Sequence, residues 1–457
     1  MTPSTPPASP ELLRTPHAPI LKMGAIIVLG LLLLIPLVMV YSVLDERLAR
    51  RNAAVQEITS TWGQPQVIVG PVLIVPYAKI QKAWREQTVG GKVERVEVNE
   101  QVRARAFFLP AALKAEGQLT PSRLHRGIYE AAVYDGTITI SGSFAPPSFV
   151  EWKVEPHQVL WDEAELAISI TDLRGARESL EVTIGGQTCT LQPGAKLEGF
   201  TSGLHTPLKG LSAQTAAIPF EMRIVLRGSH SLRIAPVGLD NDVHLASTWP
   251  DPSFQGAFLP TERKVGAEGF SARWQMSSYG RSFPQQWTEH TPLAPATVTA
   301  SLFGVDLVPV VDSYRSVERA IKYGVLPIVL LFTAFFLFEV VAAVRIHPFQ
   351  YTLVGIALCL FYLALLALSE VVSFGVAYWI GAAAATLMIS LYSARALRGG
   401  RRAGLVAVGL PAIYAFLFVI LRLQDYSLLI GTAGLFVALA LVMWVTHNID
   451  WYAGERR

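Results

Sequence analysis

The sequence predicts a polytopic α-helical membrane protein with six spans and a large β-rich domain inserted between spans 1 and 2. Three observations predict it. The 457 residues are 51% hydrophobic and only 16% charged, whereas a water-soluble enzyme of this size carries nearer a quarter of charged residues. The apolar excess falls near the N-terminus and in the last third, in runs of about twenty residues, which is what a helix needs to cross roughly 30 Å of hydrocarbon. Between them lies a polar middle, residues 45–324, with β-branched runs and glycine turns. The apolar runs show no strand-like alternation, so they read as helices rather than as staves of a barrel.

Taken in order, residues 1–21 begin MTPSTPPASPELLRTPHAP, a Pro-, Ser- and Thr-rich stretch of the disordered kind. Residues 22–44 follow as the first span. Its apolar run is longer than the 7–15 residues of a signal core, and no small-x-small cleavage site follows it. Pro36 predicts a kink within it. Residues 45–62 (DERLARRNAAVQEITSTW) read as a helix continuing out of the membrane. Strand-like stretches then run at 67–77, 92–108, 127–140, 164–170, 180–184, 221–227 and 269–276. Turn signals are Gly90-Gly91, Asp135-Gly136, Gly185-Gly186 and Pro193-Gly194. About 280 residues suffice to bury an independent core, in one domain or in two divided near residues 201–217. No internal repeat is evident.

The remaining spans are read at 325–344, 351–370, 371–392, 403–421 and 428–446. The first two form a hairpin turning at 345–350, where Pro348 biases His347 away from helical geometry. Residues 447–457 form the tail. With the N-terminus inside, the inner segments hold Lys22, Arg345, Arg395, Arg398, Arg401, Arg402, Arg456 and Arg457. The short outer turns hold only Glu370, Arg422 and Asp425. That asymmetry follows the positive-inside rule and places the large domain outside.

Charge and motifs narrow the function classes. A net charge of +3, scattered along the chain, gives no basic footprint for nucleic acid. Cys189 lies in the polar middle and Cys359 inside a span, so they form no disulfide framework. The histidines of the middle, His125, His157, His205, His230, His244 and His290, show no helical zinc spacing. No nucleophile elbow and no phosphate-binding glycine loop occurs, so the expectation is a protein without enzymatic activity and without a cofactor.

Three sets of residues remain as candidates. Glu339, inside a span, costs about 2.5–3.5 kcal/mol on insertion scales unless it faces other helices or is protonated. It reads either as an acid paired near the interface with Arg345 or, with Glu370 and His347, as a polar element of a transporter, channel or signal transducer. The stretch STWPDPSFQGAFLP, residues 247–260, carries Trp249, Asp251, Phe254 and Phe258. It reads either as a packed loop closing the β-domain or as a rigid aromatic surface for a partner or a glycan. The RALRGGRR loop, with Arg395, Arg398, Arg401 and Arg402, reads as a topology determinant that can also contact anionic lipid head groups.

Particular stretches carry a resemblance: LLLLIP (31–36), GPVLIVP (70–76), residues 247–260 and GFSARWQ (269–275) in the first two thirds. FFLFE (335–339), RIHPFQYTLVG (345–355), FYLALLALSE (361–370) and NIDWY (448–452) carry it in the last. By these the chain resembles the CreD family of inner-membrane cell envelope integrity proteins of Gram-negative bacteria, over nearly its whole length. The resemblance implies an inner-membrane location with the β-rich domain in the periplasm. It also implies a role in envelope integrity linked to two-component control, colicin tolerance and the β-lactam response. Partners on this reading are the lipid bilayer and envelope proteins or cell-wall components. No catalytic residues follow from it.

Overall fold

A computed structural model describes residues 18–447 apart from 90–91, 177–179, 214, 309–312, 343–345, 397–399 and 424–425. The chain divides into two compact units, Asn52–Val310 and a second made of Met1–Arg51 with Val311–Arg457.

The second unit is helical. Helix α1 (Ala18–Leu32) and helix α2 (Leu34–Trp62) are separated by a break at Leu33. The break follows Leu32, whose carbonyl lies four residues before Pro36; a proline ring clashes with that carbonyl and supplies no N–H for it. Among the described residues, six helices are long and apolar enough to cross a membrane, as the sequence predicts.

In the other unit, seventeen strands are defined among the described residues. They begin with β1 (Gln66–Val89), β2 (Lys92–Phe108), β3 (Ala112–Arg126), β4 (Tyr129–Phe144) and β5 (Glu165–Ile170). Next come β6 (Glu181–Ile184), β7 (Gln187–Thr190), β8 (Gln192–Pro193), β9 (Leu204–Pro207), β10 (Ile218–Ser229) and β11 (Ser231–Ile234). The last are β12 (Asp240–Ser247), β13 (Pro252–Gly256), β14 (Glu262–Gly266), β15 (Gly269–Ser277), β16 (Gln286–Thr288) and β17 (Phe303–Leu307), with a short helix α3 (Pro295–Ala300) before β17.

These form two sheets. One has nine strands, ordered β13-β17-β11-β1-β5-β9-β8, with β2 beside β1 and β16 beside β2. The other has eight, ordered β14-β15-β12-β3-β4-β10-β6-β7. One hydrophobic core serves both, joining Ile68, Leu73 and Phe303 to Leu113, Ile138 and Phe220. It draws on residues from both sides of 201–217.

Strand β1 is the hub of the first sheet. It runs parallel to β11, then antiparallel to β5, then antiparallel to β2. Its register against β5 shifts between Val69 and Val72. Gly70 there has φ +124°, a conformation a side chain resists. Asp135-Gly136, a turn signal in sequence, lies instead inside β4, where Gly136 pairs with Leu119 and with Leu226. A Cβ at Gly136 would stand 3.2 Å from the Leu119 side chain and 3.5 Å from that of Leu226, so the glycine there serves close packing. Gly185-Gly186 is a turn, with φ +56° and +84° joining β6 to β7.

The end of α2 is fixed to this unit by a buried polar knot. Gln66, with no exposed surface, donates through Nε2 to the carbonyls of Asp172 (3.0 Å) and Arg227 (2.7 Å). The Asp172 carboxylate accepts from the Arg174 backbone N–H and guanidinium and from the Gln64 N–H, at 2.8–3.1 Å. Arg174 also donates to the Ser60 carbonyl at 2.9 Å, and the Arg227 guanidinium lies over the Trp62 ring, 4.1 Å from its centroid.

The remaining helices are α4 (Ser313–Lys322), α5 (Val325–Ala342), α6 (Pro348–Ser369), α7 (Phe374–Ala396), α8 (Gly400–Arg422) and α9 (Ser427–Thr446). Helix α4 is amphipathic and was not anticipated. Its Val317, Ala320 and Ile321 are buried, while Glu318 and Lys322 pair at 2.8 Å on its outer side. Helix α6 is the centre of this unit, with eleven buried residues, among them Tyr351, Leu358 and Tyr362. Its start corrects the expected turn at 345–350. Pro348 to Gln350 are its first helical turn, because proline suits the first helical position and His347 and Gln350 cap each other's backbone.

The carboxyl of Asp172 is held below the usual carboxylate range, chiefly by Arg174 and further by two backbone N–H groups, against the opposing effect of burial. A depressed folded-state pKa gives stability that is present above the unfolded value and is lost as pH falls through the folded one. Asp172→Asn is expected to lower the stability of the β-rich unit by about 3 kcal/mol at neutral pH. The difference from the parent should shrink below pH 4, as read by thermal melts of the full chain at both pH values.

Candidate functional site

The aromatic stretch is packed. Trp249 is buried, and its indole N–H donates to the Val308 carbonyl at 2.9 Å. Phe254, on β13, meets Phe270 and Trp274 edge-on, at centroid distances of 5.8 Å. Phe258 meets Phe303 edge-on, and its carbonyl accepts from the fully buried Trp274 indole at 3.2 Å. Phe254 and Phe258 are half-buried, and of the four residues Asp251 alone is exposed. The stretch is aromatic because it closes the end of the core.

The intramembrane candidates are not brought together. Glu339, on α5, lies beside the Tyr351 hydroxyl in the first turns of α6. Glu370 caps the other end of α6, where it accepts from the Tyr314 hydroxyl at 3.1 Å and meets Arg47 Nε at 3.7 Å. Tyr351 and Glu370 are separated by about 28 Å along the helix axis. His347 Nδ1 accepts the Phe349 N–H at 3.2 Å and so serves as a cap. Arg395 is exposed at the end of α7, and Arg401 and Arg402 start α8. Arg398 and Arg345 lie outside the described residues.

A site that the sequence reading missed lies on the outer face of the eight-stranded sheet. Strand alternation turns Leu113, Ala115, Val243 and Leu245 inward and their neighbours out. Register then sets the outward side chains in rows. Glu262 stands opposite Arg273, Arg273 opposite His244, and His244 opposite Glu116. One row away, Asp242 stands between Gln275 and Lys114, and on the other side Lys264 stands opposite Ser271. Charges of opposite sign are thus neighbours in both directions.

Several of these groups bond to one another. Arg273 donates to both oxygens of Asp242, at 2.8 and 2.6 Å. Lys114 Nζ meets Glu116 at 2.7 Å, and His244 Nε2 lies 2.9 Å from the Ser271 hydroxyl. Arg273 holds the Asp242 carboxyl below the usual range, and Lys114 does the same for Glu116. Both acids therefore stay charged well into mild acid. The rows line a depression of about 300 Å³. An adjoining depression of about 500 Å³ shares Lys114 and Asp242 with it and continues over Gln275 and Ser277. The signal was legible only as pairs at i, i+2 on strands far apart in sequence: Lys114 and Glu116, Asp242 and His244, Glu262 and Lys264, Ser271 and Arg273.

Six helices long and apolar enough to cross a membrane among the described residues, with a two-sheet unit, define a multi-pass membrane protein with a large β-rich region. A family model described as inner membrane protein CreD matches residues 18–452. The inner membrane protein CreD of Escherichia coli (strain K12) is 33% identical over 433 residues, covering 94% of this chain and 93% of that protein. The chain belongs to the CreD family and is a multi-pass inner-membrane protein in contact with the lipid bilayer. Among solved structures, a putative nutrient binding protein of Legionella pneumophila aligns with 39% of this chain and 68% of its own, at 9% identity and a TM-score of 0.23. Native yeast LTA4 hydrolase aligns with 46% of this chain and 35% of its own, at 10% identity and a TM-score of 0.18. Likenesses this slight bear on neither fold nor activity.

Two outcomes check these assignments. Trp249→Ala is expected to cost about 3–5 kcal/mol, the range for emptying a buried tryptophan site, and Asp251→Ala close to nothing, in thermal melts. Glu370→Gln and Tyr314→Phe should each lower stability in lipid nanodiscs. Their double mutant should fall short of the sum by about 1 kcal/mol, because the two substitutions remove one shared bond.

Proposed function

We propose that this chain is a non-enzymatic protein of the bacterial inner membrane that supports cell envelope integrity through contacts made by its β-rich unit. That unit lies in the periplasm, between the first and second spans, with both chain ends in the cytoplasm. The positive-inside asymmetry supports this orientation: Lys22, Arg345 and the arginines of 395–402 fall on one side, and Glu370, Arg422 and Asp425 on the other.

The observation that carries the reading is the outward groove. Its Asp242 and Glu116 are each held by a cation, in a water-facing depression built on four rigid strands. Such a surface suits recognition, and a partner from the envelope, a protein or a cell-wall component, is what a periplasmic unit meets. Glu339 and Glu370 support transport less well, since they stand near opposite ends of α6 with separate neighbours.

Complementation in a Gram-negative strain lacking its family member tests this, scored by envelope leakage and β-lactam sensitivity. Residues 1–324, carrying the first span and the β-rich unit, are compared with the full chain and with full-length Glu339→Ala. The expected result is that the tethered unit complements and Glu339→Ala is as active as the parent. If the truncated chain is stably expressed and fails, and Glu339→Ala fails as well, the helical unit itself acts and transport or transduction takes its place.

A further inference from the structure

We infer that the groove over β14, β15, β12 and β3 binds a neutral, hydroxyl-rich chain, a glycan strand. The inference rests on the periplasmic reading above and names the chemistry of the partner.

The charges of the groove exclude a ligand of one sign. Glu262, Arg273, His244 and Glu116 follow one another across the strands, and Asp242 and Lys114 stand in the next row. Strands lie about 4.8 Å apart, and outward residues on one strand are about 6.8 Å apart. A ligand carrying only anions or only cations at that spacing meets as much repulsion as attraction. A zwitterionic peptide can match both signs, but it competes with pairs already made, above all the two-pronged Arg273–Asp242 bond at 2.8 and 2.6 Å.

Those pairs satisfy charge without using up hydrogen bonding. A carboxylate offers about four lone-pair sites and a guanidinium five N–H donors. The Arg273–Asp242 pair uses two of each, so acceptors and donors remain side by side at the surface of the groove. A hydroxyl both donates and accepts, and it bonds to either kind without breaking a pair. The Ser271 hydroxyl beside His244 extends the same mixed lining.

The extent of the groove points to a chain rather than a single sugar. Depressions of about 300 and 500 Å³ share Lys114 and Asp242 and together extend across β14, β15, β12 and β3. Each alone is within the ordinary size of a small-ligand site, roughly 300–1,000 Å³. No Phe, Tyr or Trp lines either depression, so binding rests chiefly on hydrogen bonds and is weak and spread along the strand.

The test uses the full chain in lipid nanodiscs free of glycolipid, titrated with chitohexaose as the neutral chain and followed by saturation-transfer NMR. Saturable binding is expected. Glu116→Ala and His244→Ala, both at water-facing positions, should each weaken it about tenfold, the worth of one or two hydrogen bonds. Glu221→Ala, on β10 of the same sheet but outside the groove, should leave it unchanged, and thermal melts confirm that each variant is folded. Absence of saturable binding by the folded chain overturns the proposal. So does equal affinity of the groove variants and the parent, or displacement of chitohexaose by a Lys-Glu dipeptide at lower concentration, which assigns the groove to zwitterionic peptides. Complementation by the tethered unit alongside any of these results removes the glycan and keeps the envelope contact, whereas failed complementation removes the envelope contact itself.

Discussion

A buried carboxylate holds the point at which the chain passes from helix to sheet. Asp172 gathers the Arg174 guanidinium and the N–H groups of Gln64 and Arg174, while Gln66 beneath it bonds two further backbone carbonyls. An acid that is 5% exposed is tolerable only when its oxygens are satisfied. Here they are satisfied by Gln64, in the link between α2 and β1, and by Arg174, in the segment after β5. The first strand to leave the helix is the one that pairs with β11, β5 and β2 in turn. The register of the nine-stranded sheet is therefore set next to this knot.

The helical unit has a comparable centre in α6, and polar groups serve it at both ends. His347 and Gln350 close its N-terminus, and Glu370 ties its C-terminus to Tyr314 of α4 and Arg47 of α2. A polar residue beside a membrane helix often suggests a pathway. Here His347 and Gln350 serve backbone N–H groups at one end of α6, and Glu370 holds Tyr314 and Arg47 at the other.

The spans were legible because transfer into hydrocarbon depends on composition, which a run of apolar letters shows directly. The break at Leu33, ahead of Pro36, was legible for the same local reason. Helix α4 was not, since its apolar stripe is only Val317, Ala320 and Ile321 among charges. Strands β3, β12 and β14 also escaped notice. The inward residues of β3 include Ala115 and Gly117, too small to mark alternation, and β14 is exposed throughout. Asp135-Gly136 looked like a turn because small and acidic residues favour turns locally, yet it lies inside β4, where a Cβ at Gly136 would crowd Leu119 of the flanking strand. The groove lay beyond local reading altogether: its members, from Lys114 to Ser277, lie on strands far apart in sequence and meet only through pairing register.

The last helix obeys a different rule from α6. None of the residues of α9 is buried among the described parts of the protein, although Gly434 runs close beneath Phe416 of α8. The acyl chains of the bilayer accept any apolar shape, so α9 is held to a sum of transfer energies and hardly to a fit. Leucine, valine and phenylalanine are near-synonyms along it, whereas on α6 each is a distinct word. Drift within the family should therefore accumulate in α9 as exchanges among apolar residues that leave its hydrophobicity unaltered, with Gly434 standing still.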